Sequence, residues 1–230
     1  MSLNENNFQS TDELNATFAQ SIVDILTAGI NENGRASLVV SGGRTPKALF
    51  NTLSKVELDW SKVDISLADE RWVETDDDAS NEKMVHRELL QNNAAAANFV
   101  GLKTEHDNAK DAVETCTANL AKLHTPFDVL ILGMGEDGHT ASLFPCSEQI
   151  HQGLDQGARR TYLAVQPTTA PNQRMSLTLP ALLNSKNIFL HLTGDSKKQV
   201  LDKAVKGGDE HEMPIRAVLN NADVELMWAP

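Results

Sequence analysis

An α/β domain built on a mainly parallel sheet, with helices on both faces, is what this sequence predicts, and three observations predict it. Short apolar runs of strand length recur: ASLVV (36–40), VDISLA (63–68), FDVLIL (127–132), TYLAV (161–165), NIFLHL (187–192) and VELMW (224–228). Segments with apolar residues every three or four positions separate most of them, without tandem repeats or a Pro- or Ser-rich linker. Near-continuous apolar strands alternating with amphipathic helices mark a parallel sheet covered on both sides. With 230 residues, 40% of them apolar and 23% charged, the chain can bury a large core, so one domain spanning 1–230 is expected.

Taken in order, the N-terminus MSLNENNFQS is polar and lacks the basic start and apolar stretch of a signal peptide. No segment approaches transmembrane length, and a cytoplasmic address is expected. Ser10 and Glu13 read as a capping box, after which Leu14, Phe18, Ile22 and Ile25 share one helical face. The first apolar run leads into SGGRTPK (41–47). There Ser41, Gly42 and Gly43 make a turn, Thr45 suits a helix cap and Pro46 its first position, which would aim free backbone N–H groups at the loop. Such a turn is either an anion site or a plain strand-to-helix connection, and its spacing is neither a P-loop nor GxGxxG.

The second run leads into Asp69, Glu70 and Arg71. Alternate residues leaving a strand point the same way, so Asp69 and Arg71 should share a direction. Arg71 stays charged and could hold an oxyanion or a phosphate; an ordinary exposed ion pair is the plainer reading. TDDDAS reads as a solvated turn, and Ser80 opens the amphipathic helix SNEKMVHRELLQ, with Glu82 acidic in its first turn. Ala109, Val113, Cys116, Leu120 and Leu123 repeat the helical spacing before the third run.

That third run ends in GMGEDGHTAS (133–142), a glycine-rich loop holding Asp137 and His139. Imidazole as a class titrates near neutrality, so a histidine here can take a proton from water, with a carboxylate two residues away to orient it. A structural turn is the competing reading. Metal is not indicated, because no HxxxH, CxxC or histidine cluster supplies three ligands. The run at 187–192 leads into TGDSKK, where Gly194 turns the chain, Asp195 or Ser196 suits a cap, and Lys197 or Lys198 falls in the first helical turn. A lysine there opposes the helix dipole unless an anion neutralises both, which favours a phosphate at Lys197 over a solvated side chain. Arg174, in APNQRMSL, is a further candidate cation. Ligands of open α/β sheets bind beyond the carboxyl ends of the strands, so the loops at 41–47, 68–81, 133–142 and 193–198 should lie on one rim.

A net charge of −12, without any basic run, excludes DNA, RNA and anionic membranes as expected partners. Any attraction for a phosphate ester must come from a local pocket. Cys116 and Cys146 are expected as free thiols, since a chain this long needs no disulfide framework. No GxSxG elbow exists, and Cys146 with His151 nearby in sequence is weak evidence for a nucleophile.

Five segments in order, SGGRTP (41–46), DERWVETDDDASN (69–81), FDVLILGMGEDGHTASLFP (127–145), PNQRMSLTLPALLNS (171–185) and LTGDSKK (192–198), make the chain resemble the 6-phosphogluconolactonases, within the wider group of sugar-phosphate isomerases and deaminases. The resemblance implies a modified Rossmann-like sugar-phosphate isomerase fold. It also implies hydrolysis of 6-phosphogluconolactone to 6-phosphogluconate, the second step of the oxidative pentose phosphate pathway, without metal or organic cofactor. By the same resemblance His139 activates water, Asp137 helps position it, and Arg71 with Asp69 lines the reacting end. The Gly42–Gly43 turn, Arg174 and Lys197 would hold the phosphate, with Thr45 beside them. Arg44 stands where many relatives have Ser, and its role is open. The loop glycines are expected to let a sugar ring approach the backbone. A small sugar phosphate is the expected partner; nothing indicates an oligomeric state.

Two alternatives accompany this reading: a deaminase of glucosamine 6-phosphate, and a non-catalytic sugar-phosphate sensor. The deaminases typically continue as DGHIAFNEP, where a Glu partners the His, and tend to show DEY. This chain has DGHTASLFP, with Phe144 at that Glu position, and DER. A phenyl ring cannot relay a proton. Retention of both Asp137 and His139 weighs against a sensor.

Overall fold

The computed structural model describes residues 1–230. Ten strands and eight α-helices follow one another along the chain. They run β1 (Leu3–Asn7), α1 (Thr11–Asn33), β2 (Ala36–Val40), α2 (Pro46–Leu53), β3 (Val63–Leu67) and β4 (Asp69–Arg71). Next come α3 (Asn81–Glu88), β5 (Asn98–Val100), α4 (Ala109–Leu120), β6 (Val129–Leu132), α5 (Ile150–Leu154) and β7 (Tyr162–Val165). The last elements are β8 (Arg174–Leu177), α6 (Leu179–Leu183), β9 (Ile188–Thr193), α7 (Asp195–Val205), α8 (Ile215–Asn221) and β10 (Val224–Ala229).

Seven strands form one sheet in the order β1-β10-β9-β6-β2-β3-β5, every pair parallel. Every residue of β2, β3 and β6 is buried, so both faces at the centre of the sheet are covered, as their mainly apolar runs require; the polar residues among them, Ser37, Asp64 and Ser66, are hydrogen-bonded. Long helix α1 packs on β2, β6 and β10 through Leu14, Phe18, Ile22 and Leu26, all fully buried, with Ile25 at the margin of the stripe. Ser10 caps it by accepting from the Glu13 amide; Glu13 reaches back to the amide of Gln9 rather than that of Ser10.

The predicted parallel sheet is accompanied by a second sheet, antiparallel and three-stranded, in the order β4-β8-β7. The run at 161–165 is therefore a strand, but not of the parallel sheet, because it pairs with β8 instead of joining a crossover. β4 falls in a segment expected as a loop, and β8 in one for which no strand was expected: DER and RMSL do not form apolar runs, and their burial follows from cross-strand pairing. β1 escapes apolar patterning for another reason. Its residues LNENN sit at the sheet edge, held by backbone pairing with β10 and by Asn4 and Asn6 amides donating to the Glu225 carboxylate at 2.8 and 3.0 Å. No helix is long and apolar enough to cross a membrane.

Candidate active site

All four predicted loops meet at the carboxyl ends of β2, β6 and β9, around a cavity of about 300 Å³. Gly42, Gly43, Arg44 and Thr45 line one side of it. Asp69, Arg71 and Arg174 come from the small sheet, while His139 and Lys197 come from the two remaining loops. Asp137 stands behind His139 rather than on the surface of the cavity.

The loop after β6 folds tightly on itself. Gly135 donates to the carbonyl of His139 at 2.8 Å, and Gly138 to the carbonyl of Gly135 at 3.1 Å. Asp137 Oδ1 accepts from the His139 amide at 3.1 Å and lies 2.6 Å from Nδ1. A carboxylate only accepts, so Nδ1 carries the proton of the neutral ring, and Nε2 is left with its lone pair and no protein partner. Burial pushes the Asp137 carboxyl upward, but the hydrogen bond and charge of His139 outweigh it and hold the group below the usual carboxylate range. Phe144 stacks on the imidazole, centroids 4.1 Å apart and planes 28° from parallel, which fixes the ring's plane. The glycines serve this fold before they serve a ligand. A Cβ on Gly135 would lie 2.1 Å from His139 Nδ1, so only glycine lets the ring turn back onto its own loop. Gly138 in turn packs against Met213. Gly135 also lines the cavity, so the same residue serves the loop's own packing and the wall of the site.

The small sheet carries the cationic wall. Asp69 and Arg71 do share a direction, both toward the cavity, and Arg71 lies directly across the ladder from Arg174. The residues separated by resemblance into reacting end and phosphate end thus adjoin. Asp69 is buried and accepts from Ser142 Oγ at 2.5 Å, while the Ser142 amide donates to Ser176 Oγ at 3.1 Å. These two bonds tie the end of the histidine loop to the small sheet. Glu70 points the opposite way into the N-terminus of α3, accepting from the amides of Arg71, Asn81 and Glu82 at 2.7–2.8 Å. Complete burial pushes its carboxyl up to about 7 against the pull of those donors. Asn81 then reaches from α3 to the Asp69 carbonyl at 2.9 Å, and its side chain fills the space a Cβ on Gly42 would need.

At the opposite wall, one expected cap holds its position and one is corrected. Thr45 takes the N-cap position of α2, ahead of Pro46, but with helical dihedrals (φ −55°, ψ −47°) its side chain makes no cap hydrogen bond; its hydroxyl lies 3.4 Å from that of Thr193, joining the two turns. Gly194, at φ 88°, takes the N-cap position of α7 instead of Asp195 or Ser196, since the turn there needs a left-handed residue. The first turn of α7 separates its lysines. Lys197 lines the cavity, whereas Lys198 turns away to Glu5 at 3.2 Å and Asp202 at 2.8 Å.

Six buried side-chain polar atoms in the protein have no hydrogen-bond partner, and five of them belong to residues lining this cavity: Ser41 Oγ, Arg71 Nε, Arg174 Nε and both ring nitrogens of His191. Buried polar groups are nearly always matched, so this concentration marks a place built for a polar ligand. Sequence reasoning did not find Asn81, Ser142 or His191 as parts of the site. Asn81 and Ser142 lie within the segments DERWVETDDDASN and GMGEDGHTAS, but their signals are contacts in space; a lone histidine in an apolar strand carries none.

A family model described as glucosamine-6-phosphate isomerases/6-phosphogluconolactonase matches residues 9–228. A 6-phosphogluconolactonase of Rhizobium meliloti is 41% identical, with all of both chains covered. One from Pseudomonas putida is 42% identical over 94% of this chain and 89% of its own length. A crystal structure of a 6-phosphogluconolactonase from Shewanella baltica superposes with a TM-score of 0.97 at 44% identity, covering 100% of this chain and 98% of that one. A monomeric glucosamine-6-phosphate deaminase, at 18% identity and a TM-score of 0.81, shares the fold, covering 98% of this chain and 97% of its own.

Proposed function

From a chain that belongs to the family of glucosamine-6-phosphate isomerases and 6-phosphogluconolactonases, we propose an enzyme, one domain over residues 1–230, that hydrolyses 6-phosphogluconolactone to 6-phosphogluconate, the second step of the oxidative pentose phosphate pathway. His139 Nε2 takes a proton from a water as its oxygen bonds to the lactone carbonyl carbon. The carbonyl oxygen becomes an oxyanion beside Arg71. When the ring C–O bond breaks, the departing ring oxygen takes the proton back from the imidazolium, and the free imidazole is restored. Asp137 holds the ring in the required tautomer and stabilises its charged form, and Asp69 keeps the loop against the small sheet through Ser142. A δ-lactone is already activated, so a positioned water, a base and oxyanion stabilisation suffice without a covalent nucleophile. Lys197, Arg174 and the Gly42–Gly43 turn hold the phosphate, with Arg44 and Thr45 on the same wall. Binding energy at the phosphate, a group that does not itself react, is thereby used to orient the carbonyl.

The observation that carries this reading is an imidazole with one nitrogen fixed by a carboxylate and the other unpartnered, lining a cavity that also holds Arg44, Arg71, Arg174 and Lys197. In a chain of net charge −12, four cations around one cavity are a local reversal of the overall field. The deciding experiment follows freshly generated 6-phosphogluconolactone, corrected for spontaneous opening, in parallel with ammonia release from glucosamine 6-phosphate. Lactone opening accelerated by the protein, with no ammonia, is the expected result. Ammonia release would instead favour deaminase chemistry, and neither activity would leave a binding protein. Phe144 argues against the deaminase: it stacks on His139 at the position where those enzymes typically carry a proton-relaying Glu.

A further inference from the structure

Lys197 already faces an anion. It sits in the first turn of α7, at the positive end of the helix dipole, where a bare ammonium is locally unfavourable. Glu136, in the loop that carries Asp137 and His139, brings its carboxylate to 3.1 Å from Lys197 Nζ. The Lys197 side chain is 26% exposed and lines the cavity, while Glu136 is 65% exposed and makes no other ion pair. Lys198, one residue on, shows what a lysine without such a task does here: it is satisfied by two carboxylates outside the cavity.

We infer that Glu136 is a displaceable internal counter-anion, competing with the substrate's phosphate for Lys197 and thereby setting the affinity for phosphorylated lactones. The inference rests on Lys197 being a phosphate ligand. An exposed ion pair contributes about 1 kcal/mol or less, too little to hold the lysine against a stronger anion. A phosphate dianion brings twice the charge of a carboxylate and three acceptor oxygens, enough to meet Lys197 and the turn amides together. An unphosphorylated sugar lactone brings no charge and leaves the Glu136–Lys197 pair intact. Arg71 and Arg174 make no ion pair, and the nearby Asp69 carboxylate is buried and held by Ser142, so a mobile, exposed counter-anion is particular to Lys197.

The test is a calorimetric titration of the intact protein with inorganic phosphate at low ionic strength, using Glu136→Gln, Glu136→Ala, Lys197→Ala and the Lys197→Ala/Glu136→Gln pair. Both Glu136 variants are expected to bind phosphate about two- to fivefold more tightly, the range an exposed pair supplies. Lys197→Ala should bind it more weakly, and adding Glu136→Gln to Lys197→Ala should restore little. KM for 6-phosphogluconolactone should fall in the Glu136 variants by a similar factor, while KM for glucono-δ-lactone should not fall. Unchanged or weaker phosphate binding in both Glu136 variants, with Lys197→Ala still impaired, overturns the competition and leaves Lys197 as ligand. An equal gain in the Lys197→Ala background also overturns it, since that gain would be a general field effect. Unaltered binding in Lys197→Ala removes both.

Discussion

The two sheets of this protein treat charge in opposite ways. Apart from Asp64, which Arg35 pairs, the centre of the parallel sheet buries no charge, and its functional groups stand beyond the strand ends, His139 and the Gly42–Gly43 turn on loops and Lys197 in the first turn of α7. The antiparallel sheet has charged residues inside its strands: all three residues of β4 are charged, Asp69 and Glu70 are buried, and Arg174 on β8 is 7% exposed. A rigid apolar frame positions reactive groups at little cost to itself. A small sheet that buries its charges must match each one, and where Arg71 Nε and Arg174 Nε stay unmatched, stability has been exchanged for an anion-ready surface.

The sharpest break in the comparison is expected at the parallel sheet's histidine. His139→Ala should lower the rate of lactone opening by about a hundredfold or more, the scale of a lost general base. A turnover that survives would remove the catalytic role.

Arg174→Met should show the opposite pattern in the small sheet. Loss of a hydrogen bond to a charged ligand predicts a fall in kcat/KM of about ten- to a hundredfold. Burial lowers the pKa of Arg174, and its one hydrogen bond runs to the Pro171 carbonyl at 3.2 Å, so thermal stability should hold or rise. Reduced melting temperature with intact kinetics would make Arg174 a structural residue.

Acidification separates the sheets through one buried group in each. His191, in β9, is pushed down from 6.5 to about 4 by burial, so the unfolded chain binds the extra proton and this contribution to stability is lost as pH falls from 6.5 toward 4. Glu70, in β4, is raised from 4.5 to about 7, so the folded state binds the extra proton and stability declines as pH rises across that interval. The melting advantage of His191→Phe over the parent should therefore widen between pH 6.5 and 4. The deficit of Glu70→Gln should narrow between pH 4.5 and 7. Parallel melting curves for either variant and the parent over its interval would contradict the assignment.

The smallest effect is expected at Lys198→Ala. With its ammonium held by Glu5 and Asp202, KM for the phosphorylated lactone should change by less than about twofold, the scale of an ordinary surface substitution. A change matching that of Lys197→Ala would remove the distinction between the neighbouring lysines.

Much of this arrangement was legible beforehand, and what was not shares a cause. Each of the six apolar runs contains a strand, because short, mainly apolar segments bounded by turns have few other ways to be buried. Asp137 and His139 were legible as a pair because two residues of glycine-rich loop bring them together whatever surrounds them. The polar edge strand β1, the charged strand β4 and the pairing of Arg71 with Arg174 carry no such local signal. Their hydrogen bonds join segments far apart in sequence, and the hydroxyl of Thr45, at the N-cap of α2, likewise meets Thr193 on another strand instead of the helix it precedes.

By itself the sequence determined the parallel α/β frame, the four loops at its carboxyl rim and the Asp–His pair, since periodicity and glycine-rich turns act over a handful of residues. Only the tertiary structure decided that a second sheet supplies the arginines, that Ser142 and Asn81 lock the loops together, and that Lys197 rather than Lys198 faces the cavity with Glu136 beside it. Those outcomes depend on which charges and donors come within a few ångströms after folding, and such proximity between distant residues is a property of packing that no local pattern encodes.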